Sequence, residues 1–126
     1  MRYLLDTHVA LRILRDEPIS SKAKAIIDDV TTEIFVSIAS AWELAIKVGL
    51  GKLKYYGGVR AFLDDIKLND FTLLGVEEAH IEQVQALEYH HRDPFDRLLI
   101  ATAIAEDMIF LSADENVPKY DVNWLW

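Results

Sequence analysis

The sequence predicts an α/β fold, a parallel sheet covered by helices on both faces, and three observations predict it. Short apolar runs, Tyr3-Leu4-Leu5, Ile34-Phe35-Val36, Phe71 to Val76 and Ile109-Phe110-Leu111, alternate with longer segments of helical spacing. Ile34-Phe35-Val36 is the β-branched and aromatic kind of run found in buried strands. The segment Leu98 to Ala105 is apolar on almost every side, as a helix pressed against a sheet must be.

The elements follow in order. Tyr3-Leu4-Leu5 stops at Asp6-Thr7, a pair able to cap a helix over His8 to Leu14, which Asp16-Glu17-Pro18 breaks. Ser20-Ser21 caps a segment whose apolar residues, Ala23, Ile26, Ile27 and Val30, recur at helical spacing. After the strand at 34–36, Ser37 or Ser40 caps a helix to Val48, ended by Gly49 and Gly51. A Lys-rich segment, Lys52 to Gly58, leads to a helix from Val59 to Leu68 and a strand from Phe71 to Val76. Glu77 to Tyr89 and Pro94 to Glu106 read as helices, Ile109 to Leu111 as a strand and Val122 to Trp126 as a last strand.

The 126 residues correspond to one domain, 1–126, by the usual size of roughly 100–200 residues. No Cys is present, which excludes disulfides, thiolate zinc sites and a cysteine nucleophile. Asp6 interrupts the N-terminal apolar run before a signal-peptide core forms. The longest nearly apolar stretches also fall short of the roughly 18 residues of a membrane span, so a cytoplasmic protein is expected. Thirteen Lys and Arg against 21 Asp and Glu give a net charge of −8. That balance excludes a broad basic coat for nucleic acid.

Four acids occupy strand ends or otherwise apolar surroundings. Asp6 ends the first strand, Glu43 interrupts Ala41-Trp42-Glu43-Leu44-Ala45-Ile46, Asp96 lies in the first turn of the buried helix, and Asp114 follows the strand at 109–111. In open parallel sheets ligands bind beyond the carboxyl ends of the strands. Were the four to converge there, each pair about 4–5 Å apart would repel by roughly 3–4 kcal/mol at an effective dielectric near 20. Protonation or a bound cation would relieve this, and an all-oxygen donor set suits Mg²⁺ or Mn²⁺. Such an ion suits phosphate-ester hydrolysis. Each acid also has a plain structural reading. Asp6 and Asp93 can cap helices, Glu43 can pair with Lys47 on a solvated face, Asp96 can answer the helix dipole, and Asp114 can belong to a turn.

These residues resemble the motifs of PIN-domain nucleases. Leu4-Leu5-Asp6-Thr7-His8 is similar to the opening motif, and Ser40 to Lys47 resembles the second, with Glu43 on a helix. His91-Arg92-Asp93-Pro94-Phe95-Asp96-Arg97-Leu98-Leu99-Ile100-Ala101 resembles the third, and Phe110-Leu111-Ser112-Ala113-Asp114 the fourth. The motifs stand in family order over essentially the whole chain. The resemblance implies a three-layer α/β/α sandwich and a metal site of Asp6, Glu43, Asp96 and Asp114 binding Mg²⁺ or Mn²⁺. Thr7, Asp93, Arg97 and Ser112 would lie nearby, with either Asp93 or Asp96 as the third-motif ligand. Ser112 stands where many relatives have Thr, and keeps the hydroxyl. The chain's length is similar to that of VapC-type toxins, ribonucleases restrained by a cognate antitoxin. That likeness implies an RNA substrate, an antitoxin partner and a homodimer.

The segment from Lys47 to Arg60 carries Lys47, Lys52, Lys54 and Arg60 with Tyr55 and Tyr56 and no acid. Basic residues interleaved with aromatics suit single-stranded RNA, although a solubilising loop over packed tyrosines has the same composition. Arg97 suits a phosphate or a carboxylate, and His8, His90 and His91 read as structural or solvent-facing. Val9, Leu11 and Ile13 form an apolar set on the first helix that fits either core or a partner contact. The competing reading is a noncatalytic module that keeps the fold and only binds proteins. A phosphohydrolase of the haloacid-dehalogenase kind wants Asp-x-Asp after the first strand, where this chain has Asp6-Thr7-His8.

Overall fold

The chain starts with strand β1 (Arg2–Leu5) running into helix α1 (Thr7–Leu14), in a computed structural model that describes all 126 residues. Helix α2 (Ser21–Asp28), strand β2 (Glu33–Ser37), helices α3 (Ile38–Gly49) and α4 (Gly58–Leu68) and strand β3 (Thr72–Leu74) follow. Then come α5 (Glu78–Ala86), α6 (Pro94–Ala105), β4 (Ile109–Leu111), a 3-10 turn at Val117–Lys119 and β5 (Trp124–Leu125). Ser37, rather than Ser40, caps α3, its Oγ accepting from the Ala39 N–H at 3.0 Å.

All strands are parallel, in the order β3-β2-β1-β4-β5. Period-two alternation divides their side chains between two cores. Tyr3, Leu5, Ile34 and Val36 pack with Val9 of α1, Leu44 of α3 and Phe62 and Ile66 of α4. Leu4 and Phe110 face the other way, against Leu99, Ile100 and Ala103 of α6. The result is the expected three-layer α/β/α sandwich. No helix is long and apolar enough to cross a membrane.

The sheet order sets where a site can form. From β1 the chain steps outward through β2 to β3, then returns to place β4 on the other side of β1. The connections leaving β1 and β4 diverge, which opens a crevice at their carboxyl ends. Asp6 continues β1 there, its N–H bonded to the Leu111 carbonyl at 3.0 Å, and Ser112 continues β4.

Several elements are shorter than their apolar runs suggest. β3 is confined to Thr72–Leu74 and β5 to Trp124–Leu125, since both are edge strands with one neighbour to pair with. α5 ends at Ala86, three residues before Tyr89, because Arg97 takes the carbonyls at its end. The guanidinium donates to Val84 O, Leu87 O and Glu88 O at 3.3, 3.2 and 2.8 Å. Val9 and Leu11 are buried in the core and offer no partner surface, while Ile13 is half-buried against it. Among the exposed apolar residues, Ile38, Trp42 and Ile46 of α3 stand four apart and therefore on one face.

Candidate metal centre

Asp6 reaches the crevice as the N-cap of α1, so its backbone conformation follows from the strand-to-helix junction. It is buried, and Ser112 Oγ donates to its Oδ2 at 2.6 Å. Burial raises its pKa above the ordinary carboxylate value and outweighs the lowering effect of the Ser112 hydrogen bond. The Thr7 and Ser40 hydroxyls meet at 2.8 Å beneath it, tying α1 to α3.

Glu43 projects from α3 with only 3% of its side chain exposed. Lys47, one turn on, donates to Oε2 at 2.6 Å. Oε1 is buried with no hydrogen-bond partner. An uncompensated buried carboxylate oxygen costs free energy unless something neutralises it. The Lys47 ammonium is raised in pKa by the Glu43 hydrogen bond, and Asp93 and Asp96 act on it in the same direction. The pair is therefore half of a larger charge cluster, and the expectation of a solvated surface pair does not hold for Glu43.

α6 supplies the third motif. Asp93 is its N-cap, accepting from the Phe95 and Asp96 N–H groups at 2.8 and 3.4 Å, and Pro94 starts the helix. Asp96 stands one turn in. Burial pushes its pKa up to about 7, with Asp93, Asp6 and Glu43 adding to the rise and His91 opposing it. Asp114, beyond β4, has both oxygens engaged: Oδ1 accepts from the Asn116 N–H at 2.8 Å and Oδ2 meets His91 Nε2 at 2.7 Å. Burial alone would raise its pKa, but these hydrogen bonds outweigh it and hold the carboxyl below its ordinary range.

The fold thus brings the four acids to one crevice. Donor atoms of Asp96, Asp114 and His91 all lie within 4.8 Å of one another. Asp6 and Glu43 stand outside that tightest group, yet both load the charge of Asp96. The mutual repulsion, a carboxyl raised to about 7 and an unpartnered Glu43 oxygen are what a bound cation would relieve. Their oxygen-rich donor set fits a hard divalent cation.

Other expected site residues fall elsewhere. Arg97 is not at the carboxylates; besides capping α5 it lies 3.8 Å from the Tyr89 ring centre, because those unpaired carbonyls attract the buried guanidinium. Tyr55 is half-buried and engaged by its neighbours. Its hydroxyl donates to Asp65 Oδ2 at 2.6 Å, its ring meets Phe62 edge-on, and Arg15 lies over it. Lys52 and Lys54 are exposed, while Arg60 pairs with Asp64 at 3.0 Å. His91, expected to be structural or solvent-facing, keeps only 7% of its side chain exposed and hydrogen-bonds Asp114. The signal was its place two residues before the cap of the motif helix.

The family model for the PIN domain matches residues 3–123. The chain belongs to the PIN-domain family. This PIN domain also aligns with a chain of VapBC2 from Rickettsia felis bound to a DNA fragment from their promoter. That match has a TM-score of 0.74 at 18% identity, over 99% of this chain and 98% of that one. DNA-bound VapBC from Salmonella typhimurium matches at 0.72 and 10% identity, over 99% and 97%. VapBC-1 from nontypeable Haemophilus influenzae matches at 0.69 and 17% identity, over 99% and 97%. At these identities the likeness is one of fold. No curated protein matches the sequence significantly.

Proposed function

We propose that this PIN domain is a divalent-cation-dependent endoribonuclease, the toxin of a toxin-antitoxin pair. The observation that carries the reading is the convergence of Asp6, Glu43, Asp96 and Asp114 at the sheet's switch point, with Glu43 Oε1 buried and unpaired. The matched VapBC structures support the toxin assignment and an antitoxin as partner. A protein that only bound partners would gain nothing from clustered, mutually repelling carboxylates.

Asp6, Asp96 and Asp114, completed by Glu43, would hold Mg²⁺ or Mn²⁺. Such an ion, when bound, polarises a phosphoryl oxygen and activates water. The chain's own residues prepare the site. Ser112 fixes Asp6 Oδ2, and its Oγ also accepts from the Asp114 N–H at 3.1 Å, so one hydroxyl orients two of the acids. Lys47 brings positive charge to the same edge, and exposed Lys52 and Lys54 on the α3–α4 connection suit the backbone of single-stranded RNA. The apolar face of Ile38, Trp42 and Ile46 suits a protein contact, either with a second copy or with antitoxin.

The test is cleavage of a mixed pool of structured RNAs with Mg²⁺, with Mn²⁺ or with EDTA. Wild type should cut only with metal, and Asp6→Asn should be inactive while retaining its circular dichroism. Equal cutting by Asp6→Asn would remove the reading.

A further inference from the structure

We infer that His91 is a nitrogen ligand of the same cation site and biases it toward transition-metal cations over Mg²⁺. The inference rests on the cation-dependent reading above and adds a donor of different chemistry to it. His91 Nε2 lies 2.7 Å from Asp114 Oδ2, and both fall with an Asp96 oxygen inside a 4.8 Å span. Donor atoms this close can converge on one ion bonding at about 2.1 Å once the His91–Asp114 hydrogen bond gives way.

The ring is held as a ligating imidazole needs to be. Its side chain is only 7% exposed. Its plane stacks on Tyr120 at 5.5 Å and 14°, and Nδ1 lies 3.0 Å from the Tyr120 hydroxyl. That hydroxyl also accepts from the His90 N–H at 3.1 Å and has a second lone pair for an N–H on Nδ1. As the ring stands, Nε2–H donates to Asp114 Oδ2 and Nδ1 accepts from the Tyr120 hydroxyl. A cation taking Nε2 displaces that proton, and the Tyr120 oxygen can accept it on Nδ1. Metal-binding histidines usually have the second nitrogen hydrogen-bonded in this way.

Carboxylates alone favour Mg²⁺ and other hard ions, whereas imidazole adds affinity for softer ones. Glu43, whose charge reaches Asp96, adds a buried Oε1 with no hydrogen-bond partner. A purely structural His91 would brace Asp114 without contributing nitrogen to the metal.

Pulsed electron paramagnetic resonance on the Mn²⁺-loaded protein tests this directly. Wild type should show nitrogen coupling that changes when histidine is labelled with the heavy isotope. His91→Gln should lose that coupling and lower the ratio of Mn²⁺ to Mg²⁺ affinity by about tenfold in calorimetric titration. The labelled wild-type protein keeps the test intact should His91→Gln fail to fold. Mn²⁺ bound without nitrogen coupling would overturn the ligand assignment and leave the cation site standing. No Mn²⁺ binding at all would overturn both.

Discussion

Replacing Asp96 by Asn should stabilise the metal-free protein, increasingly from about pH 4 and fully above about pH 7. The carboxyl sits among Asp93, Asp6 and Glu43, and burial with these neighbours lifts its pKa from 3.8 to about 7. At 1.36 kcal/mol per tenfold change in proton affinity, that gap corresponds to roughly 4 kcal/mol. Asp96 is partly exposed, so solvent screening reduces the usable figure to about 2 kcal/mol. Loss of a negative charge from the first turn of α6 offsets roughly 0.5 kcal/mol of this, leaving about 1.5 kcal/mol. Because the folded-state pKa is raised, the folded protein holds the proton more tightly than the unfolded chain. The penalty is therefore absent below about pH 4, grows between pH 4 and 7, and is complete above 7. Urea unfolding in EDTA should show Asp96→Asn more stable than wild type at pH 8 and equal to it at pH 4. Adding Mn²⁺ should reverse the order at pH 8, since wild type alone gains binding energy. No gain at pH 8, or the same gain at both pH values, would refute the reasoning.

Other residues give sharper separations between fold and chemistry. Ser112→Ala removes the donor to a buried carboxylate, and should cost about 1–3 kcal/mol in urea unfolding and weaken Mn²⁺ binding in calorimetry. Arg97→Met leaves the carbonyls of Val84, Leu87 and Glu88 without their donor. It should lower stability by about 2–4 kcal/mol, while the folded fraction keeps wild-type Mn²⁺ affinity. Lys52→Glu with Lys54→Glu should weaken RNA binding and flatten its dependence on salt in fluorescence anisotropy, with melting temperature unchanged. Unaltered affinity would return that segment to a solubilising loop.

The layer order and most element positions were legible because they depend on local pattern. Tyr3-Leu4-Leu5, Ile34-Phe35-Val36 and Ile109-Phe110-Leu111 are strands in the structure, and Asp93-Pro94 begins a helix as its capping chemistry requires. The four acids were legible as interruptions of apolar surroundings. Each also performs the plain role open to it: Asp6 caps α1 and Glu43 pairs with Lys47. The two readings were never exclusive, and only burial separates a solvated pair from one with an orphaned oxygen.

What escaped local pattern involves partners distant in the chain. Arg97 adjoins Asp96 in sequence, yet its guanidinium turns to the end of α5, where unpaired carbonyls attract it. His91 looked incidental until β4 and the turn after it carried Asp114 to its Nε2, 23 residues away, and Tyr120 to its Nδ1, 29 away. Tyr55 suited base stacking or packing beneath a loop by composition alone, and it packs on Phe62. The sequence by itself determined the α/β layering, the caps and the identity of the acids, since periodicity and capping act within a few residues. Tertiary structure decided which charges share a crevice. Electrostatic coupling falls off over ångströms of space, and the sheet order β3-β2-β1-β4-β5 converts residues 6, 43, 96 and 114 into neighbours.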